Sequence, residues 1–143
     1  MTEEEYLQDR LQAAIDWYSK NSSLNKNSYH FLKTSEIIIA VTIPFLTGYL
    51  KENDIIKYVI GVLGLLVAII SGLLVLFMFQ EKWIEYRTTA ESLKYEKFMF
   101  ITKAGPYKSD NSLSDLTERV ESLISKENSN WNQFMKKEES QKT

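Results

Sequence analysis

Polar and apolar residues are unevenly distributed along the 143 positions of this chain. Residues 58–79 form a run of 22 uncharged, mostly apolar residues, whereas both ends of the chain are rich in charged side chains. A helix of that length measures about 33 Å, and the hydrocarbon core of a bilayer is about 30 Å thick. The run therefore predicts a transmembrane helix.

A shorter apolar run, residues 37–50, lies just before it and is separated from it by the polar segment 51–57. The run is too short to cross a bilayer alone, but so short a connection predicts an antiparallel pair of helices. Counting back 22 residues from position 50, to match the second helix, places the start of the first near Tyr29. The predicted fold is an all-α integral membrane protein, a two-transmembrane antiparallel helical hairpin with helices over about 29–50 and 55–79.

The N-terminal segment, residues 1–28, predicts an amphipathic helix. Thr2 is placed to cap it, with Glu5 completing a capping box. The polar stretch 21–28 is expected to break this helix before the membrane. Its apolar residues recur at helical spacing: Leu7, Leu11, Ile15 and Tyr18.

The C-terminal half predicts two more helices. Because neither glycine nor proline occurs between Phe79 and Gly105, the second transmembrane helix should continue as a stalk over 80–105. A last helix is expected over 112–138. The stalk carries a heptad-like seam that predicts either a coiled coil between copies or packing against the N-terminal helix: Trp83, Tyr86, Ala90, Leu93, Lys97 and Phe100.

Basic residues predict the orientation, because cytoplasmic flanks of membrane helices are enriched in Lys and Arg. Two lie in the connection, Lys51 and Lys57, and seven flank the other helix ends: Lys20, Lys26, Lys33, Lys82, Arg87, Lys94 and Lys97. Both termini are therefore expected in the cytoplasm and the protein in the cell membrane as a multi-pass protein. The acidic start of the chain argues against a signal peptide.

Small residues recur every fourth position in the second helix, at Gly64, Ala68 and Gly72. Such residues allow membrane helices to approach closely. The stripe predicts either an interface between copies or packing against the first helix of the same chain.

The first helix carries two charges at membrane depth, Lys33 and Glu36, and the matched helix lengths put Glu36 close in depth to Ser71 and Gly72. They predict either a functional polar site or an ion pair at the headgroup level. From Glu36 one helical face continues through Ala40 and Ile43 to Thr47, which makes these four residues the pore-lining candidates. The threonine hydroxyl has the alternative of bonding to its own helix.

Composition excludes several classes of function. The net charge of −2 offers no basic excess for nucleic acid. With no cysteine and one histidine, disulfides, thiolate metal sites and a Ser/His/Asp triad are not expected. No Gly-rich phosphate loop or paired catalytic carboxylates occur either, so we expect neither an enzyme nor a cofactor nor a metal.

One motif follows the second apolar run. The pattern W-x-x-Y-R-x-x-x-E-x-L-x-x-E, then G-x-Y, is formed by Trp83, Tyr86, Arg87, Glu91, Leu93, Glu96, Gly105 and Tyr107. Its first three residues suit the inner membrane interface, and Glu91 is placed to pair with Arg87. Further matching residues precede it: Arg10, Leu11, Trp17, Tyr18, Asn25, Lys26, Tyr29, Pro44 and Gly64.

With these residues, the stretch of about 7–108 resembles the SLATT group of two-transmembrane proteins, which overlaps the bacterial family catalogued as domain of unknown function 4231. The resemblance implies a membrane effector that forms pores in bacterial conflict systems, where a soluble sensor supplies the signal. We expect no such sensor domain within these 143 residues, so a signal would come from a partner.

Two functions follow as hypotheses. The first is a homo-oligomeric pore or ion channel, because two helices per copy cannot enclose a water path alone. The second is a non-conducting membrane anchor or scaffold whose cytoplasmic helices bind a soluble partner. The expected partners are the lipid bilayer, further copies of the chain and a soluble sensor, and not nucleic acid.

Overall fold

The structure is a computed structural model that describes residues 2–49, 54–108 and 112–141. Its described residues are helical with short turns and contain no strand, which confirms the all-α prediction. The elements are α1 (Glu3–Glu5), a π-helix (Tyr6–Gln12), α2 (Ala13–Thr47), α3 (Ile55–Phe77), α4 (Phe79–Ile101), a 3₁₀-helix (Gly105–Lys108) and α5 (Ser112–Gln141). The first three residues of the predicted connection 51–57, namely 51–53, lie outside the described residues.

The chain divides into two compact units. We call residues 1–22 together with 84–143 the terminal unit, and residues 23–83 the hairpin unit. Two long helical stretches, Glu3–Thr47 and Ile55–Lys108, each contain a segment long and apolar enough to cross a membrane. No residue of α3 is buried within the chain, so its apolar surface is left for lipid or for another protein.

The start of the chain confirms the predicted cap and corrects the predicted stripe. The Thr2 hydroxyl accepts from the Glu5 amide, and the Glu5 carboxylate accepts from the Thr2 amide at 2.7 Å. The buried residues of the π-helix are Tyr6 and Leu11, with Leu7 only half-buried. Because a π-helix bonds residues five apart, it brings Tyr6, rather than Leu7, onto the face of Leu11.

The predicted break within 21–28 is wrong, because α2 continues through it without interruption. The stretch contains no glycine or proline, and asparagine and serine lower helix stability by less than about 1 kcal/mol each. The Asn21 side chain even bonds to the helix, donating to the Trp17 carbonyl at 2.9 Å.

The predicted continuity of the second helix into the stalk is also wrong, at one residue. Met78 adopts a left-handed conformation, with φ 52° and ψ 42°, and separates α3 from α4. The sequence contains no sign of this interruption, since methionine rarely adopts positive φ. Helical bonding resumes at once, with the Lys82 amide bonded to the Met78 carbonyl.

The stalk ends close to the predicted stop at Gly105, but the residue that ends the helix with a left-handed conformation is Lys103. Lys103 is left-handed, with φ 50°. The Ala104 amide bonds to the Met99 carbonyl and the Lys103 amide to the Phe100 carbonyl, which is the Schellman pattern. Gly105, also at positive φ, follows in the next turn.

The last helix begins at Ser112 as predicted and runs to Gln141, three residues beyond the predicted end. Its apolar stripe completes the core of the terminal unit. The fully buried side chains are Leu11, Leu93, Tyr107, Leu116 and Val120.

Within this core, the predicted seam of the stalk packs against the N-terminal helix of the same chain. Ala90, Leu93 and Phe100 belong to one cluster with Leu11 and Ile15. The lysine in the seam, Lys97, is accommodated because its ammonium donates to the Gln12 side chain. This supports intrachain packing over a coiled coil between copies.

Candidate functional site

A polar contact joins α2 and α3 within the hairpin unit. One carboxylate oxygen of Glu36 lies 2.8 Å from the Lys33 ammonium, and the other accepts a hydrogen bond from the Ser71 hydroxyl. The Glu36 side chain is only 14% exposed, whereas that of Lys33 is 46% exposed. The bond confirms that Glu36 and Ser71 lie at the same level of the helix pair, as the length count predicts.

The four pore-lining candidates share one face of α2 but differ in their exposure. Glu36 and Ile43 are half-buried, whereas Ala40 and Thr47 are exposed. The Thr47 hydroxyl donates to the Pro44 carbonyl at 2.6 Å, so it bonds to its own helix as the alternative predicted. Thr47 thus presents mainly its methyl group and the remaining lone pairs of its hydroxyl.

The stripe of small residues on α3 faces away from the rest of the chain. A Cβ atom built on Gly64 or on Gly72 would meet no other atom within 4 Å, and Ala68 between them is exposed. These small residues therefore do not serve packing against the first helix of the same chain. The stripe remains open to an external partner.

The first part of the W-x-x-Y-R motif contributes aromatic contacts. The Trp83 ring lies under the Lys26 ammonium, 5.8 Å from it, and the Tyr86 ring lies 5.5 Å from that of Trp17. The predicted pair of Arg87 with Glu91 is not formed. Glu91 pairs instead with Lys94 at 3.0 Å.

The second part of the motif holds the end of the stalk together. Leu93 is buried in the core, and the buried Tyr107 donates its hydroxyl hydrogen to Glu96. Burial raises the pKa of Tyr107, and the neighbouring Glu96 carboxylate raises it further. The phenol therefore keeps its proton and acts as a hydrogen-bond donor. The turn through Gly105 brings these residues together, so this part of the motif serves the fold of the terminal unit.

A family model described as a protein of unknown function, DUF4231, matches residues 13–115. The chain belongs to the DUF4231 family. No curated protein and no solved structure matches it. The DUF4231 match covers α2, α3, α4 and the 3₁₀-helix, and leaves most of α5 and the π-helix outside it.

Segments outside the DUF4231 match nevertheless complete the core. Leu11 precedes the match, Leu116 and Val120 follow it, and all three are fully buried. A two-pronged ion pair joins the same segments: Arg10 donates to both carboxylate oxygens of Glu121, at 2.8 and 2.9 Å. The guanidinium accordingly lowers the pKa of Glu121.

Sequence reasoning missed a polar cleft in the terminal unit, between α4 and α5. Its volume is about 190 Å³. Glu127, which is 5% exposed, lies in its wall and accepts a hydrogen bond from Tyr18 at 3.0 Å. The sequence held one indication of this site. The apolar stripe of the last helix recurs every three or four residues, and the next position at that spacing is occupied by Glu127 instead of an apolar residue. The stripe consists of Leu113, Leu116, Val120 and Leu123.

Proposed function

We propose that this DUF4231 protein assembles in the cell membrane as a homo-oligomeric pore or ion channel. The observation that carries the proposal is the open stripe of small residues on α3. Gly64 and Gly72 leave backbone accessible on an apolar helix that has no fully buried residue within its own chain. Close helix contact is the main favourable interaction available between helices in lipid, and a second copy of the chain supplies a matching surface.

Several copies are needed because a pair of helices encloses no water path. Of the two, α2 is the less apolar, and we assign it to the lining. Its exposed side carries Ala40 and Thr47, with Glu36 and Ile43 at the margin. Ile43 then supplies the apolar constriction, and the Glu36–Lys33 pair supplies the charge at the inner end.

The Glu36→Gln variant tests this lining. In the pair with Lys33, the carboxylate balances the ammonium, so its removal leaves a ring of uncompensated positive charge near the pore. We expect the preference for K⁺ over Cl⁻, measured as the reversal potential in planar bilayers under a KCl gradient, to fall or reverse. Ile43→Ser is expected to raise the leak.

The matched control is Asp54→Asn. Asp54 pairs with Lys57 at 2.7 Å with the same spacing of three residues, but both side chains are largely exposed. It should leave the reversal potential unchanged. If Glu36→Gln conducts with the selectivity of the wild type, Glu36 serves only to join α2 to α3.

The orientation proposed is cytoplasmic for both termini, on the distribution of basic residues. In this cysteine-free chain, single cysteines at the exposed positions Ser23 and Ser114 should not react with an impermeant maleimide in intact cells, whereas one at Asp54 should. All three should react after permeabilisation. The opposite labelling pattern would overturn the orientation.

The second candidate function is a non-conducting membrane scaffold. The observation in its favour is that the Ser71 hydroxyl is engaged by Glu36, which leaves α3 with little to offer a water path. On either function, membership of the SLATT group and a role as effector in bacterial defence, acting with a soluble sensor, are proposals that rest on the resemblance of the motif residues.

A further inference from the structure

The cleft between α4 and α5 is built from facing polar positions. The lining residues of α4 are spaced three or four residues apart and so lie on one face of that helix, and the same holds for the lining residues of α5. They are Glu85, Thr88, Thr89 and Ser92 on α4, and Leu123, Lys126, Glu127 and Asn130 on α5. Seven of these eight side chains are polar, although the same two helices bury apolar side chains elsewhere in the terminal unit.

Glu127 is the unusual group in this cleft. One carboxylate oxygen accepts from Tyr18, and the other, also buried, has no hydrogen-bond partner among the residues that the structure describes. A buried acceptor without a donor is costly, and a carboxylate is more so. A well-packed leucine at this position would continue the apolar stripe, so the carboxylate points to a ligand that supplies a donor.

The charges around the cleft indicate which donor fits. Glu85 faces Glu127 from α4 and adds a second carboxylate, and Tyr18 approaches from α2. Lys126 also lines the cleft but is exposed on its rim. The described residues contain no group of three or more acidic, histidine or cysteine side chains that could hold a metal ion. Two carboxylates with hydroxyl and amide neighbours suit the several N–H donors of an ammonium group.

We propose that this cleft binds a small protonated amine, with its ammonium donating to the free oxygen of Glu127. Glu85 contributes the second charge, and the hydroxyls of Thr88, Thr89 or Ser92 accept the remaining hydrogens. The site lies in the terminal unit and is independent of whether the protein conducts.

Putrescine, a four-carbon diamine, is a suitable probe. The melting temperature of the purified protein in detergent is measured with and without it, at constant ionic strength. A ligand at about 100 times its Kd raises the melting temperature of a chain of this size by roughly 5 to 10 °C. We expect such a rise for the wild type, no rise for Glu127→Gln, and an unchanged rise for Glu118→Gln, whose carboxylate is exposed on the same helix.

Two further measurements keep the proposal falsifiable if a variant folds poorly. Calorimetric titration of the wild type with putrescine should saturate at one site per chain, and Lys126→Gln should bind more tightly because it removes a competing charge. The absence of saturable binding would overturn the proposal. Stabilisation by CaCl₂ or MgCl₂ but not by putrescine would also overturn it, in favour of a metal.

The pH dependence supplies a second signature. Burial, then repulsion from Glu85, raise the pKa of Glu127, with the bond from Tyr18 opposing them. As the pH falls through this raised pKa, Glu127 takes up a proton and no longer attracts an ammonium. The stabilisation by putrescine should therefore weaken as the pH is lowered and Glu127 takes up its proton. An effect that stays undiminished on acidification, in protein that remains folded, would contradict the role of Glu127.

Discussion

Replacing Gly64 or Gly72 with leucine is expected to reduce the assembled protein to smaller particles. Each position lies on the open face of α3, where a side chain would meet nothing in its own chain. The substitution should therefore leave the monomer intact and act only on contacts with another copy, because a leucine holds two helix backbones apart. Mass photometry or light scattering in detergent measures the number of copies per particle.

The matched control is Val75→Leu, which enlarges an exposed side chain of the same helix that is not a glycine. It should preserve the particle mass of the wild type. If Gly64→Leu and Gly72→Leu preserve that mass as well, close packing through this stripe is wrong, and with it the main support for a homo-oligomer.

The second large effect concerns the C-terminal helix. Leu116 is fully buried in the terminal unit although it lies just beyond the DUF4231 match. Leu116→Ala should lower the free energy of unfolding by about 2 to 5 kcal/mol, since it removes buried methyl groups and leaves a cavity. Thermal unfolding followed by circular dichroism should show a lower melting temperature.

Ile101→Ala is the control for this variant, because Ile101 is a large apolar residue of the same unit that is mostly exposed. Its effect should be small. A melting temperature for Leu116→Ala equal to that of the wild type would show that α5 is not part of the cooperative core.

Local pattern was sufficient to predict the helices but not their interruptions. The uncharged run 58–79 indicates its helix directly, and Thr2 with Glu5 indicates a cap. The left-handed Met78 has no counterpart in local sequence, because methionine has no intrinsic preference for positive φ. The continuous α2 shows the reverse, since polar residues at 21–28 lower helix propensity too little to end a long helix.

Of the two polar sites, the sequence allowed us to predict the depth of Glu36 in the helix pair but not the burial of Glu127. Matching helix lengths places Glu36 beside Ser71, and the structure shows the bond. Glu127 was not found, because a single glutamate in a charged C-terminal segment resembles ordinary surface until the facing helix is known. Its burial depends on α4, far away in the sequence.

The central claim, that the protein conducts ions, is tested most directly by K⁺ efflux from liposomes that contain the purified chain and no other protein. The account predicts efflux well above that of protein-free liposomes for the wild type, and loss of efflux in Gly64→Leu at equal incorporation. Assembled wild-type particles that release no more K⁺ than empty liposomes would contradict the pore and leave the membrane scaffold.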